Sequence, residues 1–327
     1  MGIKRLNSVL SSHDALIKYN NIFEFKKKNG FKKKLVIGID FMLYAFKFKI
    51  SLDYILIGFI NQILQFLSNN IIPIYIIDGC ANLSKKDTIN KRNIKREKLT
   101  NEVEKLKLML LNDLDSGEKI DIENKISKFI KLNKKVEADD IKLALDLFKL
   151  LNINFIRAKG EADILLSYLF KNQIINYCLS EDMDLIVYGC ENMIKIKNKS
   201  VIEYNLKKIL DKLNLKYDEF IELCIFLGCD YLNCILKFKP DVIYSKYLTL
   251  KDKFIENNNF SNEYKMKFYE AKSNYKYSYQ EYENLNIEIS NKKINYDELI
   301  CFIDENCKLY KNNNLIKIVK KINSKII

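Results

Sequence analysis

Leu35-Val-Ile-Gly-Ile-Asp40 is a short apolar run that closes on an acid. β-Branched residues at that density, in a segment too short for a helix, read as a buried strand. An aspartate ending such a strand is costly to desolvate unless something positive meets it. The same form recurs in Ile71-Ile-Pro-Ile-Tyr-Ile-Ile-Asp78. Two further strand-like runs are Ile153-Asn-Phe-Ile-Arg157 and Ile174-Ile-Asn-Tyr-Cys-Leu179. Gly160-Glu-Ala-Asp163 follows the first of these and Ser180-Glu-Asp-Met-Asp184 the second. Between the strands lie segments of helical spacing, from Ile55 to Leu67 and from Ile141 to Leu151. The alternation predicts an α/β fold, a mostly parallel central sheet flanked by helices. Ligands of such sheets gather at the carboxyl ends of the strands. Here that edge collects acids.

The chain has 327 residues, 48% of them hydrophobic, enough to bury one large core or two smaller ones. No apolar run approaches the ~18 residues of a membrane span, and the N-terminal Met1-Gly-Ile-Lys-Arg-Leu6 has no signal-peptide core. A soluble, intracellular protein without a membrane partner is expected. The net charge of +13 favours a polyanionic partner, although a general bias towards Lys, Asn and Ile gives the same balance. Eight cysteines include no C-x-x-C pair, and the spacing of Cys224, Cys229 and Cys234 is not a usual zinc pattern. Reduced thiols are the better reading. His13 is the only histidine, so acid–base or metal chemistry must rest on carboxylates, Lys or Tyr.

Residues 84–135 are crowded with Lys and Arg and poor in strand formers, and read as helices projecting from the domain. From about Tyr217 the chain looks helical and rich in Lys, Asn and Tyr. Tyr264 to Asn295 is polar enough to read as a mobile or extended insertion.

Asp182-x-Asp184, placed after a strand, puts both acids on one side, where they can share a divalent cation. Taken alone, it fits a solvated turn as well. Glu161 and Asp163 fall in the first turn of a helix, where acids also serve the helix dipole. Positions i and i+2 do not face together there, so the two would meet a metal unequally. Asp230 follows the apolar run Leu223-Cys-Ile-Phe-Leu-Gly-Cys229. Seven carboxylates at one edge repel one another unless cations are present. Two magnesium ions, which take oxygen ligands and keep several waters, resolve this most simply. Such a pair hydrolyses a phosphodiester without histidine. Lys85 and Arg92 lie seven residues apart, about two helical turns, and so share a face. They could grip a phosphate opposite the metals, or simply form a solvated basic face.

With these residues in view, the chain resembles the XPG family of structure-specific 5′ nucleases, closest to its exonuclease-one and flap-endonuclease branches. The resemblance runs over roughly residues 1 to 240. It is carried by Met1-Gly-Ile, Val36-Ile-Gly-Ile-Asp40, Tyr75-Ile-Ile-Asp-Gly-Cys80, Ser84-Lys-Lys86, Gly160-Glu-Ala-Asp163, Ser180-Glu-Asp-Met-Asp184 and Leu223 to Leu232. It implies a PIN-like nuclease core and a magnesium-dependent 5′→3′ exonuclease and flap endonuclease on DNA. Asp40, Asp78, Glu161, Asp163, Asp182, Asp184 and Asp230 match the metal-binding acids, with manganese able to substitute for magnesium. Lys85 and Arg92 match the phosphate-gripping pair at the base of a helical arch, residues 84–135. Gly2, freed by removal of Met1, would lie near the active site. Phe46 falls where relatives place a ring that stacks on DNA, and also suits a core aromatic.

The resemblance has one departure. Relatives carry a Gly-x-Gly hairpin that binds duplex backbone and a potassium ion, where this chain has Lys237-Phe-Lys239 and Pro240. Without the glycines the backbone amides lose their easy approach to phosphate, so the resemblance alone does not imply a potassium site. Lys237 and Lys239 could substitute by charge. No sliding-clamp motif is found. Expected partners are DNA with a 5′ flap, nick, gap or free 5′ end, bound by a monomer at sites of replication or repair. The expected division is a nuclease core over 1–235 and a helical, Lys/Asn-rich DNA-binding or capping region over 236–327. The short chain and its composition suit a divergent viral or parasite member. Two other readings remain, a catalytically weak DNA-junction scaffold and a PIN-type RNase.

Overall fold

The computed structural model describes residues 2–31, 34–52, 55–79, 86–111, 115–234, 236–257, 260–276, 282 and 295–306. In chain order, α1 (Leu6–Ser12), β1 (Ile17–Tyr19) and α2 (Ile22–Lys28) precede β2 (Leu35–Asp40). α3 (Phe41–Leu52) and α4 (Ile55–Leu67) lead into β3 (Ile71–Ile77). A long pair, α5 (Lys86–Met109) and α6 (Ser116–Asn133), is followed by α7 (Ala138–Leu150) and β4 (Asn154–Arg157). Next come α8 (Ala162–Lys171), β5 (Tyr177–Leu179), α9 (Asp184–Val187), β6 (Asn192–Lys197) and β7 (Ser200–Asn205). The elements described after these are helices: α10 (Leu206–Leu213), α11 (Tyr217–Leu227), α12 (Pro240–Leu250), α13 (Phe254–Asn257), α14 (Asn262–Tyr275) and α15 (Tyr296–Asn306).

Among the described residues seven strands form one sheet in the order β1-β7-β6-β5-β2-β3-β4. β2 pairs in parallel with β3 and β5, and β4 and β6 extend the parallel run on either side. Four of the five parallel strands, β2 to β5, are those the apolar runs predict, with β5 beginning later, at Tyr177. β1 and β7 are antiparallel to their neighbours, which makes the sheet mixed. The β6–β7 hairpin turns through Asn198 and Lys199, both at positive φ. Two-residue hairpins favour that geometry, but the usual sequence cue is Asn-Gly or Asp-Gly. With Lys in the second position, the hairpin is hard to read from sequence.

Alternate residues of the parallel strands face opposite cores, as period-2 geometry requires. Ile74, Ile76 and Cys178 meet α1, α8 and the helices from α9 to α14. Ile37, Ile39, Tyr75, Ile77 and Leu179 meet α2, α3, α4, α7 and α15. The segments after residue 236 therefore pack on both faces of the sheet. Tyr264, Phe268, Ala271 and Tyr275 bury one stripe of α14, so the start of the supposed insertion is a packed helix. α5 and α6 pair through a small core of their own, Leu106, Ile122 and Ile126. A capping box between Asp115 and Glu118 starts α6, and Asn133 Nδ2 donates to Thr100 Oγ1 at 2.8 Å. Among the described residues no single helix is long and apolar enough to cross a membrane.

Candidate active site

β2, β3, β4 and β5 run parallel, so their carboxyl ends open on the same edge. Asp40 is the last residue of β2, and the chain turns directly into α3. Its carboxylate accepts the Leu43 amide at 3.0 Å and the Ser180 hydroxyl at 3.4 Å. Burial, reinforced by the charges of Asp78 and Asp182, pushes the Asp40 carboxyl up to about 7. The Leu43 amide and Ser180 hydroxyl oppose that shift.

Asp78 follows β3 and is exposed. Its Oδ1 accepts the Ala162 amide at 2.8 Å, which ties the end of β3 to the start of α8. Glu161 is the N-cap residue of α8, and Asp163, inside the first turn, is buried. Both Glu161 and Asp184 act electrostatically on the buried Tyr188.

Asp182 and Asp184 sit differently from the strand geometry expected of them. β5 ends at Leu179, and the pair lies in a tight turn that opens α9. The Asp182 amide donates to Ser180 Oγ at 3.0 Å, and the Asp184 amide to Asp182 Oδ1 at 3.0 Å. It is a turn, but not a solvated one: Asp184 is wholly buried and Asp182 9% exposed. Glu181, just before the pair, is instead paired with Lys47 at 2.6 Å. Behind it the Lys195 ammonium donates to the Glu181 carbonyl at 2.8 Å. Burial lowers that lysine to about 8, against the Glu181 and Asp182 charges.

Gly2 is pressed against this turn. A Cβ there would stand 2.0 Å from Asp182 Oδ1 and 2.8 Å from Asp184 Oδ1, and its φ is +70°. Only glycine fits. The next residues carry the N-terminus past α11, where the Lys4 amide donates to the Gly228 carbonyl at 3.1 Å. Asp230 is half-buried two residues further on. Its neighbour Tyr231 packs against Tyr275 with ring centroids 5.2 Å apart. The Tyr275 hydroxyl in turn donates to Asp184 Oδ1 at 3.1 Å.

The structure thus brings Asp40, Asp78, Asp182 and Asp184 together, sets Glu161 and Asp163 on the adjoining helix start, and lays the Asp230 turn alongside. Lys85 lies outside the described residues, as does the side chain of Arg92, although Arg92 belongs to α5. Phe46 is half-buried on α3. Lys237 and Lys239 are exposed in the turn between α11 and α12. Sequence reading missed Ser180 and Tyr275. Tyr275 had a signal: Tyr264, Phe268, Ala271 and Tyr275 follow helical spacing within an otherwise polar stretch.

Among the described residues no three carboxylate, thiol or imidazole side chains form a ready-made metal cage. The donor set is nevertheless that of a hard cation. Magnesium is held through one or two carboxylates, waters and substrate phosphates rather than by an all-protein cage. A raised Asp40 beside two other acids is a pit that a divalent cation would relieve.

The sequence matches two family models, described as the XPG N-terminal domain over residues 1–99 and the XPG I-region over 152–230. Together these cover more than half of the chain. Flap endonuclease 1 of Enterocytozoon bieneusi (strain H348) is 28% identical over 250 residues, covering 71% of this chain and 65% of the relative. That of Theileria parva is 27% identical over 202 residues, 60% of this chain and 39% of the relative. The chain thus spans between about two fifths and two thirds of the length of these relatives. Among solved structures, flap endonuclease-1 from Methanococcus jannaschii superposes with a TM-score of 0.65 at 22% identity, covering 96% of this chain and 97% of the other. The catalytic core of Rad2 in complex with DNA substrate gives 0.62 at 16%, covering 96% and 99%. The Holliday junction-resolving enzyme GEN1 in complex with product DNA, Mg2+ and Mn2+ ions gives 0.59 at 13%, covering 97% and 76%.

Proposed function

Because this chain belongs to the XPG family, we propose that its acidic pit makes it a magnesium-dependent structure-specific 5′ nuclease on DNA. The observation that carries the reading is the meeting of Asp40, Asp78, Asp182 and Asp184 at the carboxyl edge of the parallel strands. Asp40, Asp78, Glu161, Asp163, Asp182, Asp184 and Asp230 hold two divalent ions, magnesium by preference and manganese in its place. Bound there, the ions supply charge stabilisation and an activated water for in-line displacement at phosphorus.

The chain's own residues do the rest. Ser180 and the Leu43 amide fix the Asp40 carboxylate, and the turn hydrogen bonds fix Asp182 and Asp184. Gly2 leaves room for both acids. Lys85 and Arg92 steady the scissile phosphate, one as a point charge and the other as a planar fork. The hairpin serves as the arch for a 5′ single strand. Phe46 stacks on the DNA, and Lys237 and Lys239 contact duplex phosphates. Residues 1–235 form the nuclease core, and 236–327 serve as a DNA-binding or capping region. The protein acts as a monomer at flaps, nicks, gaps and free 5′ ends, where DNA is replicated or repaired.

The test is a panel of end-labelled flap, nick, gap, blunt duplex and single-stranded RNA substrates, resolved to the nucleotide with magnesium or EDTA. Cleavage of 5′-ended DNA only with magnesium is expected. Preference for RNA, or binding without cleavage, would overturn the reading.

A further inference from the structure

Arg5 stands just before α1, and its guanidinium reaches into the turn between α11 and α12. Its Nη1 lies 3.3 Å from the Leu236 carbonyl oxygen, 3.2 Å from the Phe238 carbonyl oxygen and 3.5 Å from Cys234 Sγ. Lys4, the preceding residue, donates Nζ to Asn233 Oδ1 at 3.0 Å and its amide to the Gly228 carbonyl. Two consecutive N-terminal residues therefore hold both ends of the turn. The turn itself is tight. At Gly228, with φ +97°, a Cβ would stand 2.9 Å from the Cys234 amide nitrogen.

Carbonyl oxygens aimed at one point concentrate negative potential and need a cation or strong donor between them. In this turn that cation is part of the chain. A guanidinium suits the place because it stays charged at any working pH and offers several fixed donors. The opposite side of the turn faces outward. Lys237, Phe238 and Lys239 are exposed, and the Lys246 ammonium sits 3.7 Å from the centre of the Phe238 ring. Lys239 is also the N-cap residue of α12, with Pro240 in the first helical position. A basic and aromatic outer face is thus mounted on a backbone neutralised from within.

We propose that Arg5 is the built-in structural cation that ties Cys234, Leu236 and Phe238 together. It holds Lys237, Phe238, Lys239 and Lys246 in the arrangement that meets duplex phosphates, so duplex binding requires no monovalent metal ion. The proposal rests on the DNA-nuclease reading for its ligand, but not for the role of Arg5 in the turn.

The test combines two measurements on the full chain, with Arg5→Ala and Arg5→Lys beside the wild type. Hydrogen exchange without DNA reads the amides of residues 232–239. Fluorescence anisotropy reads affinity for a blunt DNA duplex in potassium or tetramethylammonium chloride at equal ionic strength. The wild type should bind equally in both salts. Arg5→Ala should expose the turn to faster exchange and lose roughly tenfold in affinity, the equivalent of one charge-assisted hydrogen bond; Arg5→Lys should fall between. A wild-type affinity that depends on potassium, or an Arg5→Ala turn that exchanges and binds as the wild type does, would overturn the proposal. If the wild type binds no duplex in either salt, the DNA reading fails, and the exchange data still decide what Arg5 does.

Discussion

The Tyr275 hydroxyl donates to Asp184 Oδ1 at 3.1 Å, across 91 residues of sequence. Both residues are buried, and the Tyr275 ring is flanked at 5.2 Å by Tyr188 and by Tyr231. Burial and the Asp184 charge push the phenol well above its ordinary value, so it stays a donor throughout the working pH range. A helix beyond the family-matched segments thereby orients one of the acids in the pit. Removing a partner of this kind typically costs a metal site on the order of tenfold or more in affinity or activity. Tyr275→Phe should raise the magnesium concentration for half-maximal cleavage by about that factor and weaken manganese binding measured by calorimetry without DNA. A variant that loses only thermal stability would make Tyr275 a packing residue.

Asp40 gives a pH dependence with a definite sign. Its carboxyl titrates near 7 in the folded protein, against about 4 in an unfolded chain. Between those values the folded state holds the proton more tightly, so unfolding releases it and stability falls as pH rises. Below about 4 both states are protonated and the penalty vanishes. Above about 7 it is complete. Asp40→Asn should therefore raise the melting temperature of the metal-free protein at pH 8 and lose that advantage near pH 4. Saturating magnesium should cancel the gain at pH 8. Calorimetric melts at several pH values, with EDTA or magnesium, check both statements.

Gly2 is fixed by space rather than by a hydrogen bond. A methyl group there would overlap Asp182 Oδ1 at 2.0 Å, and the positive φ adds backbone strain. Gly2→Ala should lower cleavage at least ~10-fold, as expected when a reacting group is misplaced by about an ångström. Its melting temperature should fall as well, because the methyl also meets the Asp184 backbone nitrogen at 2.8 Å. A steady-state assay beside a thermal melt separates the two effects.

Glu203 offers a structural control away from the pit. This carboxylate, 3% exposed, accepts the Tyr177 hydroxyl at 2.8 Å and the Tyr19 hydroxyl at 2.5 Å. Tyr177→Phe should cost about 1.5–3 kcal/mol of stability, the value of a hydrogen bond to a charged group. Cleavage rates at low temperature should match the wild type, as denaturant melts and kinetics on the same preparation would show.

The parallel centre of the fold was legible because β2 and β3 are short apolar runs rich in Ile and Val, each followed or closed by an aspartate. β1, β6 and β7 were not, since their residues mix Lys and Asn with apolar positions and the hairpin lacks its usual glycine. Asp40 and Asp78 stood out as acids ending strands. Asp182 and Asp184 were ambiguous locally, and only the topology, which lays β5 beside β2, brings them to Asp40. Helical spacing marked Tyr275 as a packed residue only, and nothing marked Arg5, because each acts through tertiary contacts with groups over 90 residues away.

The most direct test is Asp182→Asn. This change keeps the size of the side chain and its acceptor oxygen for the Asp184 amide while removing its charge. Cleavage of a 5′-labelled flap duplex in magnesium should fall at least ~100-fold, as for loss of a transition-state electrostatic group. Anisotropy-measured affinity for the same flap should stay close to wild type. Wild-type cleavage by Asp182→Asn would contradict the assignment of the acidic pit as the place where the phosphodiester is cut.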